Sequence, residues 1–216
     1  MGILRGPLFF IYMATPTTVD LDTELSAVNS ILGSIGQSPV TNLDHDNPET
    51  SFIYNILRET NVDVQSEGWV YNLELNYEFA KDTNGYINIP SNILRLDRTD
   101  DHKNRTMNLV RRNGRLYDKV KHTDVFTENQ HLDVTWLFPF EELPVPFRRY
   151  IVYKAAGRAA AQLVGNPDLV RLLALQETQA RAVCVEYDCN QAEHSMLGFP
   201  DESVYTSYSP FHALRR

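Results

Sequence analysis

Carboxylate side chains are the residues of this sequence that come closest to a catalytic pattern. Two carboxylates across a cleft can serve as acid and base in glycoside hydrolysis, and Asp44 or Glu141 could supply one of them. Asp97, Asp100 and Asp101 offer oxygen ligands for a cation, but this run lacks the glycine and the regular spacing of a calcium loop. Polar loop residues that cap helices and keep the surface solvated explain all these positions more simply.

Other patterns that carry chemistry are missing from the sequence. It contains no glycine-rich loop to hold a phosphate and no Gly-x-Ser-x-Gly turn to present a nucleophile. Cys184 and Cys189 stand five residues apart in a predicted helix, where their side chains point about 140° apart around the axis. We therefore expect two free thiols, as in a reducing compartment. The sequence predicts a protein with no catalytic residue, no metal and no cofactor.

Arginines flank the clearest turn of the sequence. Arg111, Arg112 and Arg115 surround Asn113-Gly114, and they could touch phosphate if that turn faced a DNA channel. The favoured alternative is a solvated turn whose charges protect an exposed strand edge from aggregation. A net charge of -8 argues against a general nucleic-acid binder, although an acidic wall could stand near DNA without gripping it.

A second group of basic residues falls on the third predicted long helix. It consists of Arg148, Arg149, Lys154 and Arg158. These side chains are expected to form ion pairs with acidic residues of a neighbouring subunit, or to keep that helix surface solvated.

Four helices are predicted to position these residues, at 22–35, 48–67, 146–165 and 167–190. Asn47-Pro48 and Asn166-Pro167 are start signals, and Gly36 is a stop signal. Their predicted apolar faces are Leu25, Val28, Leu32 and Ile35; Phe52, Ile53, Ile56 and Leu57; Val152, Ala156, Ala159 and Leu163; and Leu169, Leu172, Leu173, Gln176, Ala180, Val183 and Tyr187. The last two helices should pack as an antiparallel hairpin because their link is so short.

Strands are predicted within residues 69–138, between the two pairs of helices. Apolar residues alternate with others in 69–75 and 132–138, and short strand-like runs occupy 86–89 and 93–96. Asn113-Gly114 predicts a two-residue hairpin turn that places Val110 opposite Tyr117. Met107, Leu109, Leu116 and Val120 would then share the core side. The segregated order predicts an α+β fold, in which a long-helix bundle packs with a central antiparallel sheet.

The two ends of the sequence fall outside this pattern. Residues 1–20 are predicted to be an extension that is disordered or covered by a partner, with Met13 as an alternative start. Its apolar run 8–13 is too short to span a bilayer, and its flanks do not match a signal peptide. Residues 21–197 form the predicted domain, and the mixed, aromatic residues 198–216 are interpreted as a tail.

Three stretches together resemble one protein family. They are Glu24–Gly36 followed by Pro39-Val40; Gln65–Asn72; and Glu142-Leu143-Pro144 with Phe147-Arg148, Ile151-Val152, Lys154-Ala155, Gly165-Asn166-Pro167 and Ala182–Tyr187. In this order they are similar to tail tubular protein A, the head-to-tail adaptor family of short-tailed bacteriophages (podoviruses). The resemblance covers roughly residues 22–197 and is weakest in the strands.

The resemblance implies a structural protein of the virion tail that is assembled in the host cytoplasm. About twelve copies would form a ring between the portal protein and the tail nozzle, tail tubular protein B. Double-stranded DNA would pass through the lumen, and the rim would help to seat tail fibres. Arg111, Arg112, Arg115, Arg148, Arg149 and Arg158 are the candidate DNA-channel or subunit contacts, and Tyr205, Tyr208, Phe211, Arg215 and Arg216 the candidate portal contacts. A DNA-contacting module and a cell-wall glycan hydrolase remain as alternatives.

Overall fold

The computed structural model describes residues 23–43, 47–98 and 107–192. Within these ranges the elements, in chain order, are α1 Glu24–Ser34, α2 Pro48–Gln65, β1 Leu73–Phe79, β2 Ile93–Arg98, β3 Leu109–Arg112, β4 Arg115–Asp118, β5 Gln130–Trp136, α3 Val145–Ala159 and α4 Pro167–Gln191. Helices precede and follow the strands, which confirms the predicted α+β class. The predicted extension 1–20 and tail 198–216 lie outside the described residues.

The predicted start signals begin the helices as expected. The side chain of Asn47 accepts a hydrogen bond from the backbone N–H of Glu49, and Pro48 follows as the first helical residue. Asn166 caps α4 in the same way and is followed by Pro167. These caps satisfy N–H groups that the first turn of a helix leaves free.

Helix α3 lies at the centre of the helical layer. It packs against α1, α2 and α4, whereas α4 makes few contacts with α1 or α2 among the described residues. The core between these helices consists of buried apolar side chains, including Val28, Ile31, Ile53, Leu57, Phe147, Tyr150, Ile151, Ala155, Ala156 and Ala159. The layer therefore has two outer sides, one formed by α4 and the other by α1 and α2.

The end of α3 differs from the prediction. Its last turn, Ala160–Val164, is a π-helix, and Gly165 closes it with φ +66°. A π turn holds one more residue than an α turn, so the predicted apolar face no longer stays in line. Leu163 was expected in the core and is exposed instead, while Ala156 and Ala159 are buried as predicted.

The strands form two sheets rather than the single sheet that was predicted. Strands β1, β5 and β2 make an antiparallel sheet in that order, and β3 pairs with β4 as a separate hairpin. In the hairpin Val110 lies opposite Tyr117, and Asn113 and Gly114 have φ of 50° and 73°, as predicted. The two sheets share a second core of Phe79, Ile87, Ile89, Ile93, Leu116, Phe126, Leu132 and Val134.

Two other strand predictions are wrong in detail. Val120 was expected on the core side, but it is exposed because β4 ends at Asp118. Residues 86–89 were expected to form a strand, and they make isolated bridges instead, of which one joins Tyr86 to Val125. Ile87 and Ile89 are nevertheless buried. The apolar pattern of this segment therefore predicted its burial correctly but its secondary structure incorrectly.

The first half of the predicted strand 69–75 contains a 3₁₀ turn, Val70–Asn72, instead. The buried Asn72 side chain causes this change: its Oδ1 accepts from the N–H of Trp69, and its Nδ2 donates to the carbonyls of Gln65 and Trp136. Such side-chain bonds compete with a strand for the same backbone groups. Strand β1 therefore begins only at Leu73.

Strand β1 is an outer strand of its sheet, and it carries a bulge. Its register against β5 shifts between Glu74 and Tyr77, where Asn76 has φ of 58°. Leu73 and Leu75, which the alternation placed on a half-buried face, are exposed. The pattern misled because Tyr71 still packs against Phe147 in the helical core, whereas Leu73 and Leu75 belong to the strand that follows.

Candidate contact surfaces

The hairpin arginines do not lie on one face. Arg112 and Arg115 are directly opposite each other on β3 and β4, and Arg111 lies opposite Leu116. Since successive strand residues point to opposite sides, Arg112 and Arg115 share one face of the hairpin and Arg111 occupies the other. The side chain of Arg111 reaches the carbonyl of Ser91, at 3.4 Å.

Aromatic rings hold the two paired arginines in place. The guanidinium of Arg112 lies 4.3 Å from the ring centre of Tyr117, and that of Arg115 lies 4.1 Å from the ring centre of Tyr86. Arg115 also pairs with Asp124 at 3.7 Å. Stacking of this kind fixes the direction of a guanidinium and leaves its N–H groups able to donate. The hairpin thus presents an ordered cationic surface.

The arginines of α3 are separated by the structure. Arg158 donates to Asp63 on α2, with an N···O distance of 2.7 Å, and to Thr60, so the acid that it reaches belongs to its own chain. Arg148 and Arg149 face a cavity of about 210 Å³ between α1 and α3. They do not form one cluster with Arg158.

Glu67 is a residue that the sequence analysis missed. Its carboxylate lies 3.0 Å from Arg181 of α4 and 3.6 Å from Lys154 of α3. Arg181 also donates to the hydroxyl of Tyr150 at 2.9 Å. These hydrogen bonds, the one to Tyr150 most of all, raise the pKa of Arg181 above its ordinary value. The group joins the end of α2 to both later helices.

The two cysteines are free, as predicted. Cys184 is buried in the helical core and Cys189 is exposed. Burial raises the pKa of the Cys184 thiol to about 12. A thiol with so high a pKa is a poor nucleophile at neutral pH, because the reactive form is the thiolate.

Among the described residues, the candidates for other chemistry lie in separate elements. Asp97 pairs with its neighbour Arg95 on β2, and Glu141 is exposed in the 3₁₀ turn Phe140–Glu142. Asp44, Asp100 and Asp101 lie outside the described residues, as do the candidate portal contacts Tyr205, Tyr208, Phe211, Arg215 and Arg216. In the described ranges, no three His, Cys, Asp or Glu side chains are grouped so that they could hold a metal ion.

Helix α4 presents an apolar strip to the outside. Leu172, Leu175, Gln179 and Ala182 are all exposed, and Leu172 and Leu175 retain 55% and 64% of their accessible surface. We name these four residues the α4 strip. Leu172 and Val183 were expected in the core, and both are exposed. A 25-residue helix that fully buries only Leu173 and Cys184 has a large surface left for contact with another protein.

Helix α2 has an outer strip with the same spacing. Phe52, Asn55, Glu59 and Val62 are exposed and follow one another at intervals of three, four and three residues, and we name them the α2 strip. Phe52 was predicted to be in the core and is 38% exposed, as is Val62.

An open cleft of about 850 Å³ runs beside the α2 strip. One wall is α2, including Asn55, Glu59 and Val62, and the other is the segment Leu137–Phe140 that follows β5. No helix with the length and apolar composition of a membrane span occurs in the part of the chain that the structure describes.

Exposed helix strips and an ordered cationic hairpin are surfaces suited to contacts with other macromolecules, and they indicate a protein that works by binding. Comparison with known proteins agrees with this class. The model of the family described as Tube, tail tubular protein, matches residues 25–194. The chain belongs to the tail tubular protein family, a structural component of the phage virion and not an enzyme.

A curated relative supports the same assignment. Tail tubular protein A of Klebsiella phage KP34 is 28% identical over 122 residues, which cover 56% of this chain and 62% of the relative. The match thus spans less than two thirds of the relative's length. The family assignment confirms the resemblance inferred from the sequence and removes the glycan hydrolase alternative.

Proposed function

We propose that copies of this chain close into a ring that joins the capsid portal to the tail nozzle and surrounds the path of the DNA. The family assignment carries this proposal. The helical layer supports it, because α3 is covered on both sides and leaves two different outer sides, α4 and α1 with α2. A cyclic ring needs two such unlike faces, since each subunit meets its neighbours through a different surface on each side.

The charge of the chain suits a DNA channel. At -8 the protein repels phosphate at long range, so DNA would slide through the ring without sticking. The hairpin region differs from the acidic remainder of the chain, because residues 107–125 carry more positive than negative charges. The positive residues are Arg111, Arg112, Arg115, Lys119 and Lys121, and the negative ones are Asp118 and Asp124. We propose Arg112 and Arg115 as the side chains that contact either the DNA or the adjoining subunit.

The remaining contacts extend the proposal to the other tail components. The tail residues Tyr205, Tyr208, Phe211, Arg215 and Arg216 would contact the portal, because aromatic residues and arginines are enriched in protein interfaces. Arg148 and Arg149, beside the cavity between α1 and α3, would contact a neighbouring subunit. The rim of the ring would seat tail fibres, and assembly would take place in the host cytoplasm.

Assembly with the portal tests the proposed function. The purified chain would be examined alone and with the portal protein of the same phage, by size-exclusion chromatography with light scattering and by electron microscopy. The expected result is a ring of copies that caps the portal. A chain that stays monomeric at every concentration and does not bind the portal would refute the ring.

A further inference from the structure

We propose that the α4 strip of one copy packs along the α2 strip of the next copy, with Leu172 and Leu175 beside the cleft at Val62. This inference rests on the proposed ring and specifies which surfaces form its repeated contact. The two strips have identical spacing, at intervals of three, four and three residues. That spacing keeps side chains in line along one side of a helix, which is the requirement for packing lengthwise on another helix.

The two strips face away from each other within one molecule. At 100° per residue, each strip is centred roughly 140° from the buried face of its own helix. Both buried faces point into the core around α3, which separates α2 from α4. One strip therefore lies on each outer side of the helical layer, as a head-to-tail contact requires.

The directions of the helices also agree with this contact. Asp63 of α2 pairs with Arg158 of α3, and Glu67, further along the chain, pairs with the earlier residue Lys154, so α2 and α3 are antiparallel. The short link at Gly165 makes α3 and α4 antiparallel as well. Helices α2 and α4 are thus parallel in one copy. A small rotation between ring neighbours would keep them nearly parallel at the contact.

The two strips lie at similar heights along their helices. The ion pair between Glu67, two residues past the end of α2, and Arg181 of α4 marks a level shared by the end of α2 and the middle of α4. Val62 lies five residues before Glu67, and Leu175 lies six residues before Arg181. At 1.5 Å per residue these positions are about 7.5 and 9 Å from the common level. Rotation about a ring axis along the helices would therefore bring Leu175 opposite Val62 without any shift along the helices.

The shape and charge of the α2 side suit contact with the α4 strip of another copy. The cleft beside Val62 has Leu137 and Phe138 in its other wall and could accept leucine side chains from a helix. Glu59 gives the α2 strip a negative charge, and Arg171 flanks the α4 strip. Arg171 pairs with Asp168 at 3.7 Å, but both side chains are more than 80% exposed. An ion pair of that kind is weak, so Arg171 is available to a neighbour's carboxylates.

Two single variants and their mixture test the contact. Leu175→Asp should destroy the α4 strip and Val62→Asp the α2 strip, and each variant alone should elute as a monomer where the wild-type chain forms rings. A one-to-one mixture should stop at a dimer, because only the intact α2 strip of the first can meet the intact α4 strip of the second. Size-exclusion chromatography with light scattering gives the mass, and circular dichroism checks the fold.

Leu75→Asp is the matched control, because Leu75 is 69% exposed on the sheet and lies outside both strips. It should assemble like the wild-type chain. Rings formed by Leu175→Asp or Val62→Asp, a mixture that grows beyond a dimer, or failure of Leu75→Asp to assemble would overturn the inference and leave the ring intact. A wild-type chain that remains monomeric would instead refute the proposed function itself.

Discussion

At the scale of single residues, two buried amides connect the helices to the sheet. Gln65 exchanges hydrogen bonds with both backbone groups of Phe138, at 2.9 Å each. Asn72 joins the carbonyl of Gln65 to that of Trp136 at the end of β5. Both side chains are buried, where an unpaired polar group is costly. These polar contacts thus connect the helical layer to the end of β5 and the segment that follows it.

Substitution of Asn72 should measure the strength of that connection. Asn72→Ala leaves the N–H of Trp69 and the two carbonyls without their partner, so the free energy of unfolding should fall by about 2–4 kcal/mol. Urea denaturation followed by circular dichroism would measure it. Asn55→Ala, at an exposed position of α2, is the control and should change stability by less than about 0.5 kcal/mol. Equal effects of the two substitutions would contradict the assigned role of Asn72.

The thiols should differ in reactivity. At pH 8 a disulfide reagent such as 5,5′-dithiobis(2-nitrobenzoate) should titrate one thiol per folded chain, because Cys189 is exposed and Cys184 is buried. After unfolding in urea, the second thiol, Cys184, should react as well. Cys189→Ala should show no fast thiol at all, and a fast reaction of that variant would mean that α4 does not stay packed on α3.

The buried thiol of Cys184 predicts that the folded chain loses stability in alkaline solution. The folded chain keeps Cys184 protonated up to a pKa of about 12, whereas the ordinary value is near 9. Between these values the unfolded chain releases the proton and the folded chain keeps it, so the free energy of unfolding falls as pH rises. Denaturant titrations from pH 8 to 11 should show this decline, and Cys184→Ala should show a smaller one.

At the scale of elements, two glycines with similar backbone angles should respond differently to substitution. Gly114 in the hairpin has φ +73° and open space where a Cβ would stand, whereas Gly85 has φ +83° and a Cβ there would lie 2.9 Å from Val125 Cγ1. Gly114→Ala should cost about 1–2 kcal/mol through the backbone alone. Gly85→Ala should cost more, because it adds a steric clash. Thermal unfolding would measure the stability of both variants. Equal losses of stability would contradict the steric clash expected at Gly85.

The sequence predicted the helices and the hairpin because their signals are local. A cap such as Asn166, followed by Pro167, acts within one turn, and Asn113-Gly114 determines its own turn. The sequence could not show which apolar face of α4 meets α3, since Leu172 and Leu173 are equally apolar and only the position of α3 decides between them. It also could not show the role of Asn72, whose partners lie in distant segments.

The sequence predicted only some of the candidate contacts, because only local signals can be interpreted without the structure. Arg112 and Arg115 were identified because the turn between them fixes their pairing. The α2 and α4 strips were missed, because periodicity assigned Phe52 and Leu172 to the core and gave the other strip residues no role. Spacing predicts that residues share a face, and it does not tell whether the same chain or another copy covers that face.

At the scale of the whole molecule, the net charge should keep the protein off free DNA. Fluorescence anisotropy with a double-stranded oligonucleotide at about 150 mM salt should show no binding, because attraction by a few hairpin arginines is screened at that ionic strength and the remainder of the chain is acidic. Weak binding to the oligonucleotide should appear only at low salt. Arg112→Ala with Arg115→Ala should remove it, and tight binding at 150 mM salt would contradict a channel through which DNA slides.

The bulge at Asn76 has a consequence for how copies of the chain meet at high concentration. An outer strand with exposed leucines invites the same strand of another molecule to stack on it and to seed fibrillar deposits. The left-handed backbone at Asn76 breaks the even row of N–H and C=O groups along β1. This irregularity discourages open-ended stacking of one copy on the next through their sheets.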